Sequence, residues 1–223
     1  MKILFNEVIN AWLGGAMGRI KIKDGIGKLK SLSKTIKDIE KREGLTYPPV
    51  RITPSVKVLY HEYDVKGIVH GNINFMWSGD VIQPIVELSY PFLIYADKKT
   101  WKGVLVHELL HYFFLAKKYL DSDIFSLSQY FGGTVIGRLV FDEVYMMDPR
   151  KVLRDDHLIE LVTKQLEKLL SKKEFLNKII KWIKSGKPHI QISSQDFYIK
   201  LSFSEFKKLY FPAEILNRVR GVK

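Results

Sequence analysis

Residues Trp101–Ala116, "WKGVLVHELLHYFFLA", place two histidines and a glutamate inside an otherwise apolar run. "GVLV" precedes the three polar residues and "YFFLA" follows them, so the apolar positions cover most of a helix circumference. A helix of that kind is buried on nearly all sides. Two imidazoles and a carboxylate there cost on the order of several kcal/mol unless each is paired or bound to a cation. Asp97 to Thr100 supply an N-terminal cap, and the pattern predicts a helix from there to about Tyr119.

His107-Glu108-Leu109-Leu110-His111 fits H-E-x-x-H. Residues four apart share a helix face, so the two imidazoles converge on a single point at a separation suited to zinc. Glu108, one position on, reaches a water held there. Zinc brings the pKa of such a water towards roughly 7, and a glutamate that takes its proton makes a nucleophile for a polarised carbonyl. The chemistry is metal-assisted hydrolysis, most naturally of a peptide bond. The bare match arises by chance in about one chain in a hundred of this composition, so its apolar context carries much of the argument. The competing reading makes His107 and His111 satisfied core histidines, with Glu108 at a surface edge. The chain has no cysteine, which excludes thiolate sites, disulfides and a cysteine nucleophile. Any metal must use His, Asp or Glu.

Outward from this helix, residues 26 to 43 carry Ile26, Leu29, Leu32, Ile36 and Ile39 at spacings of three and four before Gly44, a helix laid on a core. From "YPPV" onward the texture turns β-branched and aromatic. "VRITPSVKVLY", "VKGIVHGNINFMW" and "VIQPIVELSYPFLIY" read as about three strands, the last two joined over Ser78-Gly79-Asp80. After the central helix, Thr134 caps a further helix through "TVIGRLVFDEVYMM", which Asp148-Pro149 stops. The remainder is mostly helical. The expected layout is one compact unit in two lobes, 1–119 with the helix, sheet and central helix, and 120–223 with further helices.

In this order of elements the chain resembles the zincin metallopeptidases. The resemblance implies an α+β, zincin-like fold: a backing helix, a small twisted sheet whose edge strand lines the substrate cleft, an active-site helix, then a mostly helical C-terminal lobe. It implies His107 and His111 as zinc ligands and Glu108 as general base, with "GNINFMW" or its neighbour as an edge strand that binds an extended peptide through its main chain. The metzincin continuation is not met, because Phe114 and Lys117 stand where its glycine and third histidine belong. The gluzincins take a glutamate from a later helix, and "FDEVYMM" offers Glu143. Val135, Leu139 and Glu143 are spaced by four on the apolar stripe, whereas Asp142 is four residues from Arg138 and pairs on the polar flank. His157, Asp142 and Asp148 are the alternatives to Glu143. His157 also sits in a first helical turn behind two capping aspartates, where an exposed histidine is commonplace. His61, His70 and His189 have no partner spacing. Tyr112, Tyr130 and Tyr145 are candidate oxyanion donors for which aromatic packing is the better reading.

With 36 Lys plus Arg against 24 Asp plus Glu, the net charge is +12, which raises nucleic acid or an anionic membrane as a partner. The lysines are interleaved with apolar residues at helical spacing and no nucleic-acid motif accompanies them, so nucleic acid is admitted but not favoured. The opening "MKILFNEVINAWLGGAMG" is interrupted too early for a signal peptide, and no window approaches a membrane span. The reading is a cytoplasmic, Zn2+-dependent metallopeptidase acting on a peptide or protein. The alternative is a non-catalytic binding or regulatory protein on a zincin scaffold, recognising nucleic acid through its basic helices.

Overall fold

Helix α1, Ile22–Glu43, is built on a 3.6-residue period that buries Leu29, Leu32, Ile36 and Ile39 while Lys30, Lys34, Lys37 and Lys41 face water. Its end is a Schellman turn: Gly44 takes φ of 60° and Leu45 N donates to Glu40 O at 3.2 Å. Glu40 Oε1 also accepts from Tyr47 N at 3.1 Å, so the helix terminus sets the path of the chain that follows. These features come from a computed structural model that describes residues 22–53, 57–59, 67–78, 81–121, 147–170 and 209–222.

Five strands follow, β1 Val50–Thr53, β2 Lys57–Leu59, β3 Gly67–Val69, β4 Gly71–Ser78 and β5 Val81–Ser89. They form two sheets, a three-stranded mixed sheet in the order β1-β5-β4 and a two-stranded antiparallel pair of β2 and β3. The expectation of about three long strands is therefore corrected. The run 50–60 splits between the two sheets, and the run 65–77 bends at His70. The run 81–95 ends as a strand at Ser89, whose hydroxyl accepts from Phe92 N and starts α2, Tyr90–Tyr95, with Pro91 in its first turn. A Ser-x-Pro signal overrode the β propensity of "YPFLIY".

In the larger sheet β1 runs parallel to β5, with Val50 opposite Val86 and Ile52 opposite Leu88. Pro84 lies in the central strand, where a missing N–H is ordinarily excluded. Here it is tolerated because the β1 register begins at Val86, whose N–H donates to Pro49 O at 2.8 Å, so the edge beside Pro84 makes no demand from β1. One face of the sheet carries a polar row: Asn74 Nδ2 donates to Glu87 Oε2 at 2.5 Å, and Arg51 Nη1 stands 4.0 Å from Glu87 Oε1. Ser89 N donates to His70 O at 3.1 Å, and the His70 ring stacks on Phe92 of α2 at 5.1 Å.

Helix α3, Lys98–Asp121, is the helix expected around "WKGVLVHELLHYFFLA", starting within the expected cap region and running slightly past Tyr119. Asp97 caps it, with Thr100 N donating to Asp97 Oδ1 at 2.7 Å. That backbone hydrogen bond holds the Asp97 carboxyl below its ordinary range.

The chain divides into two compact units, residues 1–76 with 84–112, and residues 77–83 with 113–223. The first holds α1, β1, most of β5, α2 and the first half of α3. In the second, Tyr210 N donates to Ile82 O at 3.0 Å within a parallel bridge between Leu209 and Ile82. The Tyr119 and Phe211 rings meet at 5.4 Å, and the Arg218 guanidinium of α5, Ala213–Val219, lies 5.5 Å from the Phe113 ring centre. A 3-10 turn, Pro149–Lys151, precedes α4, Asp156–Leu170. The architecture is α+β. No helix among the described residues is long and apolar enough to cross a membrane.

Candidate functional site on the central helix

Burial along the middle of α3 follows a single geometric rule. Trp101, Leu105, Val106, Glu108, Leu109, Leu110, Tyr112, Phe113, Leu115 and Ala116 are buried, while Val104, His107, His111, Phe114 and Lys118 are partly open. From Gly103 to Ala116 the open positions recur at steps of three and four and form one narrow stripe, which Lys118 continues; Lys102, Lys117, Tyr119 and Leu120 are partly open on other sides nearer the helix ends. Both histidines stand on that stripe.

Their rings approach edge to face, with centroids 4.8 Å apart and an interplanar angle of 82°. His107 Nε2 and His111 Nε2 are 3.2 Å apart. Two nitrogens bound to one zinc at roughly 2.0–2.1 Å and a tetrahedral angle lie about 3.3–3.4 Å apart, so the observed spacing is close to the bite of a single ion. The same separation suits a hydrogen bond between a ring N–H and a bare ring nitrogen, which is the metal-free form of the pair.

Glu108 is 3% exposed, against the edge location required by the competing reading. The first residue of β4 covers it. A Cβ built on Gly71 would lie 3.4 Å from Glu108 Oε1 and 2.9 Å from both Leu88 Cδ2 and Val104 Cγ1. The strand thus reaches the helix at the glutamate through a position where only hydrogen fits without movement. β4 is also an edge strand of the three-stranded sheet among the described residues. Gly71→Ala should lower stability by about 1–3 kcal/mol through overpacking. A denaturant midpoint equal to that of the parent would show that the strand does not press on the helix at this point.

Tyr47 fixes the helix backbone nearby. Its hydroxyl donates to Leu105 O at 2.5 Å, two residues before His107. Burial, and after it the negative charge of Glu108, push the Tyr47 phenol well above its ordinary range, so it stays a protonated donor. Sequence patterning singled out neither Tyr47 nor Gly71. A glycine at the mouth of a β-branched run was the available signal for the second, and nothing local marked the first.

The other candidates separate into those the structure places and those outside the described residues. His157 is exposed in the first turn of α4, where Asp155 Oδ1 accepts from Leu158 N at 3.0 Å. Asp148 is exposed and caps the 3-10 turn by accepting from Arg150 N at 3.0 Å. Tyr112 is buried, and His70 stacks on Phe92. Glu143 and Asp142 lie outside the described residues, as do Tyr130, Tyr145, His61 and His189. Among the described residues no group of three His, Cys, Asp or Glu is placed to hold a metal, so the histidine pair is the described part of the candidate centre.

No protein-family model, no curated protein and no solved structure matches this chain.

Proposed function

We propose that the protein is a zinc-dependent metallopeptidase of gluzincin-like type. The observation that carries this reading is the 3.2 Å separation of His107 Nε2 and His111 Nε2 on the open stripe of a buried helix, with the Glu108 carboxylate one residue away. The donor set is imidazole and carboxylate, which suits zinc. His107 and His111 hold the ion, and Glu143, on the helix expected over 134–147, is the third protein ligand. When bound, zinc supplies a Lewis acid that polarises a carbonyl and eases deprotonation of water.

The protein's own groups do the rest. Glu108 accepts a proton at a carboxylate oxygen and delivers it to the departing amine, so one residue serves as base and then acid. Its burial beneath Gly71 restricts the rotamers open to it, and Tyr47 restrains the helix one turn upstream. Strand β4 offers main-chain donors and acceptors to an extended peptide, which makes the scissile bond a neighbour of Glu108.

The test is metal analysis of the purified chain, which should find one zinc per molecule. Chelation should remove both the metal and the hydrolysis of a responsive peptide, and added zinc should restore them. A chain that neither purifies with zinc nor takes it up stoichiometrically would overturn the assignment.

A further inference from the structure

The exposed side of α1 carries an arrangement that peptide hydrolysis does not use. Lys30, Lys34, Lys37 and Lys41 are all exposed and follow one another at steps of four, three and four. On a helix of 3.6 residues per turn they fall, with Ile26, inside an arc of roughly 80°. That arc lies opposite Leu29, Leu32, Ile36 and Ile39, whose burial holds the helix to its own core. The four ammonium groups therefore form a nearly straight line of roughly 16 Å on a rigid support.

Their spacing works against the helix. Lys30 with Lys34, Lys37 with Lys41, and Lys34 with Lys37 are like-charge neighbours at positions where a glutamate would stabilise. None of the four forms an ion pair among the described residues. Asp38, exposed, and Glu40, half-buried and accepting from Tyr47 N, each fall roughly 40° outside the arc, one on either side. Such repulsion is relieved by an external anionic surface.

We propose that α1 docks the protein on an anionic membrane surface, with the four lysines over lipid headgroups and Ile26 entering the interface. Ile26 is 48% exposed on the same arc, an apolar side chain where a merely solvated face would be polar. Lysine stems lie along an interface while their charges stay with the headgroups, and an apolar residue beside them adds burial. Nucleic acid fits less well. The arc holds neither an arginine, whose planar fork matches phosphate, nor an aromatic ring for base stacking. This inference does not depend on the zinc site.

The experiment is co-sedimentation of the full chain with phosphatidylcholine vesicles, with and without phosphatidylserine, beside fluorescence titration of an oligonucleotide. Binding should require phosphatidylserine and weaken as salt is raised. Each lysine near such a surface contributes roughly five-fold, so changing all four to glutamine should weaken binding by on the order of several hundred-fold. Ile26→Ser should weaken vesicle binding several-fold. Circular dichroism of the variants should match the parent, since every altered side chain is exposed or half-exposed. Three results would each overturn the proposal: no vesicle binding by the parent, equal binding to neutral vesicles, or lysine variants that bind like the parent. Salt-sensitive oligonucleotide binding without vesicle binding would overturn it in favour of nucleic acid.

Discussion

Replacement of His107 or His111 by alanine should remove stoichiometric zinc from the protein. With one imidazole gone, the convergent pair becomes a single nitrogen. Altering groups that merely orient a ligand costs 10–100-fold in metal affinity, so losing a ligand should cost more, about a thousand-fold or greater. Thermal unfolding gives a readout free of any substrate. At zinc a hundred-fold above its dissociation constant the parent should gain about 2.7 kcal/mol, which for a chain of this size raises the midpoint by roughly 5–10 °C. Neither variant should show that rise. If the two histidines only hydrogen-bond to each other at 3.2 Å, zinc would leave the parent's midpoint unchanged as well. Retention of one zinc per chain in both variants would refute the assignment.

Glu108→Gln should separate binding from chemistry. The amide matches the carboxylate in shape, so the contact with Gly71 survives and zinc stays bound. The base is lost, and hydrolysis should fall by about 10²–10⁴-fold or below detection. Measuring zinc content and peptide cleavage on one preparation decides the point. Cleavage at the parental rate would exclude Glu108 as the base, whereas loss of zinc together with activity would make it a ligand or a structural anchor.

Local features were legible because their causes are local. Asp97 reads as a cap and is one, since its acceptor oxygen needs only the backbone N–H three residues on. The α1 periodicity marks Leu29, Leu32, Ile36 and Ile39 as its core face, and they are buried. Ile26 continues the spacing of three but is half-exposed, because it lies roughly 100° from the centre of that face, which buried Gly25 continues instead. The strand runs misled for a related reason. "YPFLIY" has largely strand composition, but Ser89 before it and Pro91 within it favour a helix start, and these two outweighed the other five. The pairing of Leu209 with Ile82 joins positions far apart in the chain, which no local pattern encodes.

The sequence by itself determined that His107, Glu108 and His111 share a turn-and-a-bit of one apolar helix, because helical geometry fixes side-chain positions at steps of one and four. Tertiary structure alone decided what surrounds them. Which narrow stripe of α3 stays open, how closely Gly71 approaches Glu108, and that Tyr47 donates to Leu105 O all depend on segments brought together by folding. Periodicity reports that a face is buried, because burial needs only apolar area. It does not name the partner, because partner choice rests on register and shape complementarity between elements distant in sequence.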